Sequence, residues 1–120
     1  MSPASRILVG RLMPFAVSFV VTCASFLNVC AWFFVCGCHS LWAGADLTCN
    51  IHAAGRHCPI CSHGVPGYSA VFVLVCTPQL LASLWTRWNM VARLVTCLTL
   101  FPVAMVSVSL ILGWYEGYWR

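Results

Sequence analysis

The sequence predicts an all-α integral membrane protein with three transmembrane helices and a polar loop, rich in cysteine and histidine, between the first and the second helix. Of the 120 residues, 62% are hydrophobic and 7% are charged, whereas an ordinary globular chain is roughly one-quarter charged. The mean hydropathy is +0.92. Three uncharged apolar runs are each long enough to cross a bilayer, and they leave few residues to face water.

The three predicted spans cover residues 12–35, 68–85 and 94–114. At 1.5 Å per residue they measure about 36, 27 and 31 Å as helices, against a hydrocarbon layer of about 30 Å. The second span is the shortest, and it suffices if Tyr68 and Trp85 lie at the two interfaces. We therefore expect one membrane domain, residues 1–120, with the polar loop at residues 36–67.

The arginines predict which connections share a side of the membrane. Four of them flank the first span or the turn between the second and third spans: Arg6, Arg11, Arg87 and Arg93. Because positive residues concentrate on one side, both places are expected in the same compartment. The loop and the C-terminal tail, which carry Arg56 and Arg120, then lie on the opposite side.

The charges exclude two classes of function. Six basic residues are too few and too scattered for the basic face that nucleic-acid binding requires. Asp46 and Glu116, the two acidic residues, lie on different segments and do not provide paired carboxylates for acid–base catalysis. Cysteine and histidine are therefore the reactive side chains that remain.

Polar residues inside the spans predict helix packing. Ser18 and Thr22 recur at helical spacing, and small hydroxyl residues allow helices to approach closely. Gln79 is expected to pair with a carbonyl freed by Pro78 or with Asn28. The cysteines within the spans are expected to behave as small apolar residues: Cys23, Cys30, Cys76 and Cys97.

The loop concentrates the reactive side chains. All four His and five of the nine Cys fall between positions 36 and 63. A Cys-x-x-Cys turn at Cys58 and Cys61 has the spacing of a zinc site, which a second pair from the loop would complete. The candidate zinc ligands are Cys36, Cys38, His39, Cys58, Cys61 and His63, with Cys49 and His52 as further sources of the second pair.

Three other interpretations of the loop remain open. In an oxidising compartment its cysteines would form disulfides that hold a segment without a core of its own. Alternatively, Cys58 and Cys61 would form a redox centre that exchanges disulfides, with the thiolate favoured by Arg56 or His57. The residues would otherwise be free and incidental, because short motifs carry a false-positive risk.

Short segments resemble subunit 3 of the proton-pumping NADH dehydrogenase, respiratory complex I. They are Cys36-Gly37 in the first loop, an aromatic-Ser-x-x-Phe-x-Leu-Val run at 68–75, and Tyr115-Glu116 followed by Gly and Trp. The resemblance implies a non-catalytic subunit of the mitochondrial inner membrane. It also implies that the first loop helps to couple quinone reduction to proton movement.

The function expected from these observations is that of a small structural or accessory subunit of a membrane complex, most plausibly respiratory. Its partners would be other membrane subunits and lipid, because uncharged spans with small polar residues require neighbouring helices. A thiol oxidoreductase acting through Cys58 and Cys61 is the alternative enzyme class. A viroporin-like or regulatory membrane protein is the third class. The absence of ionisable residues at membrane depth in this chain counts against it.

Overall fold

A computed structural model of the chain describes residues 1–45 and 47–120, with the backbone alone at Leu41. Three long helices dominate it: α1 at Pro3–Phe34, α2 at Gly64–Leu84 and α3 at Met90–Tyr115. Short 3₁₀ turns occur at Leu41–Ala43, Asn50–His52 and Cys61–His63. Each long helix is apolar and long enough to cross a membrane, and no β-strand occurs among the described residues. The predicted all-helical class with three such helices is confirmed.

Local sequence signals account for the helix ends. Ser2 caps α1 by accepting a hydrogen bond from the backbone N–H three residues later at 3.2 Å, and Pro3 occupies the first turn. α1 therefore begins before the predicted span, which starts at residue 12, directly after Arg11. Asn89 caps α3 in the same way, at 2.8 Å. α1 ends at Phe34, and the left-handed φ of 50° at the next residue, Val35, turns the chain into the loop.

Consecutive helices run antiparallel. The Ser83 hydroxyl, at the end of α2, donates to the carbonyl of Arg11 and accepts from the N–H of Phe15 at 3.2 Å. Arg93, at the start of α3, donates to the carbonyl of Ser83 at 3.0 Å. This end of the bundle therefore carries Arg6, Arg11, Arg87 and Arg93, the four arginines that were predicted to lie on the same side of the membrane.

Aromatic residues close the opposite end. The Tyr118 hydroxyl donates to the carbonyl of Phe34, and the ring centroids of Phe34 and Trp119 are 5.8 Å apart. Trp119 packs so closely on Gly113 that an added Cβ there would lie 2.4 Å from the indole ring. The C-terminal tail is therefore fastened to the end of α1, next to the loop.

A second polar contact joins α1 and α2, nearer the middle of the bundle. Thr22 and Gln79 are both fully buried, and the Gln79 amide donates to the Thr22 hydroxyl at 3.0 Å. The Cys97 thiol of α3 donates to the carbonyl of Gln79 at 3.1 Å. The expected pairing of Gln79 with Asn28 is wrong, because Asn28 is exposed and accepts from Ser40 at 2.9 Å.

We expect Thr22→Val to destabilise the bundle by about 1 kcal/mol, because the Gln79 amide loses its partner in an apolar interior. Thr77→Val is the matched control, since Thr77 is exposed and bonds only its own helix at Val73, at 2.7 Å. The control should change stability by less than about 0.5 kcal/mol. Thermal unfolding in detergent measures both variants, and equal losses would contradict an interhelical role for Thr22.

Candidate metal centre

The loop doubles back over the end of the bundle at Gly37. This residue has a left-handed φ of 80°, and its carbonyl accepts from the Thr48 hydroxyl at 2.5 Å. The N–H of Asn50 donates to the carbonyl of Cys36 at 2.7 Å. The turn therefore places Cys36 and Cys38 beside the segment that carries Cys49.

A second set of contacts brings in the Cys-x-x-Cys segment. The Asn50 side-chain oxygen accepts from the N–H of Cys58 at 2.8 Å, and the carbonyl of Cys58 accepts from the N–H of Ser62 at 2.8 Å. The resulting turn places Cys61 in the 3₁₀ segment that leads into α2. Asn50 therefore links both halves of the loop.

Six cysteine sulfurs meet where the loop covers α1. Each side chain is at most 5% exposed, and the group, called here the thiol cluster, consists of Cys30, Cys36, Cys38, Cys49, Cys58 and Cys61. The Cys30 sulfur lies 3.5 Å from that of Cys58 and 4.0 Å from that of Cys36. The sulfurs of Cys36 and Cys38 are 3.4 Å apart. All these thiols are free, because a disulfide requires about 2.05 Å.

Burial and mutual hydrogen bonds set the acidity of the loop thiols. Burial raises the pKa of Cys38, because a thiolate loses hydration there. The hydrogen bond from Cys30 lowers the pKa of Cys58, because it stabilises the thiolate. A metal cation shared by the cluster would favour deprotonation of all the thiols that bind it, because thiolates are the ligands.

The structure changes the predicted ligand set. Four of the predicted cysteines, Cys36, Cys38, Cys58 and Cys61, lie in the thiol cluster. His39 is exposed, and the ring of His63 contacts Glu116 at 3.0 Å. In the described part of the chain neither histidine belongs to a group of ligands close enough to share an ion. The geometry therefore favours the cysteines over these two histidines as ligands.

The residue that the sequence interpretation left out of the site is Cys30. It lies in an uncharged span and was expected to be inert. It belongs, however, to a buried row on α1 in which Phe26, Cys30 and Phe34 recur every four residues. This periodicity was the available signal, since it directs Cys30 to the same face as Phe34 at the loop end.

The residues expected to activate a redox thiolate are engaged elsewhere. Arg56 donates to the backbone carbonyls of Tyr118 and Arg120, and the His57 ring contacts the carbonyl of Asn50 at 3.1 Å. Cys58 itself has no exposed surface, whereas disulfide exchange requires that a second thiol reach the sulfur. The geometry favours a ligand role for Cys58.

We expect Gly37→Ala to destabilise the loop by about 2 kcal/mol, because a left-handed φ is unfavourable for alanine. The added Cβ would also lie 2.8 Å from the Thr48 carbonyl oxygen. Faster tryptic cleavage after Arg56 and a lower melting temperature would report the change. Gly10→Ala is the matched control, because nothing lies within 4 Å of its Cβ position in α1. Identical behaviour of the two variants would contradict the role given to Gly37.

No protein-family model, curated protein or solved structure matches this chain. The resemblance to complex I subunit 3 therefore stays a prediction that depends on the segments quoted for it. The function has to be inferred from the geometry of the chain itself.

Proposed function

We propose that the chain is a small structural subunit of a larger membrane complex, crossing the bilayer with α1, α2 and α3. The observation that carries this proposal is the start of α1, residues 3–10, which extends beyond the bundle with apolar side chains exposed. Such a subunit would position and seal neighbouring chains and would catalyse no reaction alone.

The outer faces of the helices suit lipid or neighbouring helices. Thr77 and Ser107 are exposed, but each hydroxyl donates to its own helix backbone at 2.7 Å, so neither would be unsatisfied in an apolar environment. The remaining outer surface is largely aliphatic. Side chains that are more than half exposed include Val20, Val73, Leu74, Leu81, Val103, Leu110 and Ile111.

The start of α1 requires a different partner from lipid tails. α1 has 32 residues and α2 has 21, which correspond to about 48 and 32 Å. Because Ser83 meets α1 at Arg11, residues 3–10 continue about 12 Å past the end of α2. Ile7, Leu8 and Val9 are 53 to 56% exposed there.

Charge explains why this extension favours a protein partner. Arg6 and Arg11 flank the exposed apolar residues, and arginines concentrate where a helix leaves the hydrocarbon layer. Exposed apolar side chains at that level face headgroups or water, which costs free energy that a covering helix would recover. Contact with a neighbouring subunit would cover the apolar side chains and leave the two arginines outside the hydrocarbon layer.

The charged groups support a structural role over conduction. Asp46 and Glu116 are the acidic residues of the chain, and neither lies within a predicted span. Glu116 follows α3 and pairs with His63, while Asp46 lies outside the described residues. Spans without acidic groups offer no relay for ions or protons, which disfavours the viroporin-like alternative.

More specifically, we propose a respiratory complex of the mitochondrial inner membrane. The support for this assignment is the resemblance at Cys36-Gly37, at residues 68–75 and at Tyr115-Glu116. α2 has no counterpart of the acidic pair that the complex I family carries in its second span. Within such an assembly this chain would therefore contribute helix packing, and other subunits would carry the protons.

Native mass spectrometry of the chain, extracted from its own membranes in mild detergent, tests the proposal. We expect fixed-stoichiometry particles much heavier than the 13.2 kDa chain. Respiratory oxidoreductase subunits among the companions would support the specific assignment. A heavy complex of other composition would contradict the respiratory part alone, and a lone monomer would contradict the subunit role.

The variant Leu8→Glu tests the contact itself. It should weaken association by about tenfold or more, because it places a charge in an apolar contact. Ala4→Glu is the matched control, since it adds the same charge to the same exposed extension at a small side chain. Equal retention of partners by both variants would rule out the start of α1 as the contact surface.

A further inference from the structure

We infer that the thiol cluster binds two zinc ions in a binuclear thiolate centre that fastens the loop to the end of α1. The ligands are the sulfurs of Cys30, Cys36, Cys38, Cys49, Cys58 and Cys61. This inference goes beyond the proposed subunit role and does not depend on it, because it concerns the isolated chain.

The spacing of the sulfurs fits tetrahedral zinc. Zinc–sulfur bonds of about 2.3 Å place two ligands of one ion roughly 3.8 Å apart. The separations from Cys30 to Cys58 and to Cys36 are 3.5 and 4.0 Å, and that from Cys36 to Cys38 is 3.4 Å. Two of these sulfur–sulfur distances are slightly shorter, and one is slightly longer, than the roughly 3.8 Å expected between two ligands of one zinc ion.

The arrangement of the ligands points to two ions. Two groups of three sulfurs each lie within 4.8 Å of one another: Cys30, Cys36 and Cys58, and then Cys36, Cys38 and Cys49. Cys36 belongs to both groups, so its thiolate is placed to bridge two ions. Cys61 lies outside both groups, but it is a buried thiol three residues after Cys58 in the Cys-x-x-Cys turn.

Two bridging sulfurs complete both coordination shells. One ion takes Cys30 and Cys58 as terminal ligands, the other takes Cys38 and Cys49, and both share Cys36. Cys61 would move in from outside the two groups to provide the second bridge. Each zinc then has four thiolates, and the two tetrahedra share an edge. A single ion would use four sulfurs and leave two thiols buried beside it.

The donor chemistry and the charge agree with zinc. Six thiols release six protons when two Zn²⁺ bind, which leaves a net charge of −2 on the centre. Thiolate donors without carboxylates select soft or borderline ions over Mg²⁺ or Ca²⁺, and in the described part of the chain neither ligand group contains a carboxylate.

The loop also requires such a centre for its folding. Between residues 36 and 63, the described side chains that are buried are cysteines together with Pro59 and Ile60. So little apolar burial does not offset the conformational entropy of ordering the segment. Metal binding contributes its free energy directly to folding in small domains of this kind.

The first experiment measures metal and thiols in the full chain. The protein, purified in detergent without reductant, supplied with Zn²⁺ and freed of loose metal by gel filtration, should contain two zinc ions per chain. After chelation and denaturation without reductant, all nine cysteines should react with a maleimide. Oxidised thiols in the purified chain would overturn the inference in favour of a disulfide-held loop.

Cobalt substitution tests the bridging geometry without any variant. Co²⁺ should produce intense sulfur-to-metal charge-transfer bands, and two equivalents should show a lower magnetic moment per ion than half an equivalent does. The reduction arises because bridging thiolates couple neighbouring cobalt spins. Saturation at one equivalent, or uncoupled cobalt at full loading, would overturn the binuclear centre.

Serine variants assign the ligands. Cys36→Ser should reduce the zinc content to one ion or fewer, since it removes a ligand common to both ions. Cys76→Ser is the matched control, because Cys76 is equally a buried free thiol but lies outside the cluster. His63→Ala should also keep two ions. Loss of zinc in either of these variants, or full retention in Cys36→Ser, would overturn the assignment.

Discussion

The loop is held to α1 chiefly by the sulfur of Cys30, beside the hydrogen bond from Ser40 to Asn28. Cys30 lies one turn before the end of α1, and its thiol meets Cys36 and Cys58 from two separate parts of the loop. Backbone bonds around Asn50 hold those parts to each other, but they hold neither part to the bundle. The contacts of Cys30 hold the closed loop against the end of the bundle. The hydrogen bond from Tyr118 of the C-terminal tail to the carbonyl of Phe34 completes the same end.

Features that depend on residues close in sequence could be predicted, whereas contacts between distant segments could not. The three helices were predictable because an uncharged run of bilayer length is a local property of the sequence. The start of α1 at Pro3 was missed, since Arg6 and Arg11 interrupt hydropathy but not helical hydrogen bonding. The clustering of Cys36, Cys38, Cys58 and Cys61 followed from their density, whereas Cys30 required knowledge of which helix face meets the loop. The orientation of His63 towards Glu116 depends on a contact between distant segments that no local pattern encodes.

The two ends of the bundle are chemically distinct. One end combines four arginines with an exposed apolar extension, and its internal contacts are backbone and hydroxyl hydrogen bonds around Ser83. The other end is closed by aromatic rings and by the thiol cluster, and it holds its own polar groups inside the chain. A neighbouring subunit is therefore expected to meet the first end by side-chain packing, while the second end is largely self-contained.

The shortness of α2 relative to α1 has a consequence for how the bundle would fit a bilayer. α2 is uncharged over its 21 residues and spans about 32 Å, close to a hydrocarbon layer of about 30 Å, whereas the 32 residues of α1 span about 48 Å. α2 enters the loop through buried Cys61 at one end and is fixed by Ser83 at the other, so it has little freedom to slide. In a bilayer α2 would therefore set the depth of the whole bundle, and the longer α1 would take up the difference by tilting or by protruding beyond the hydrocarbon layer.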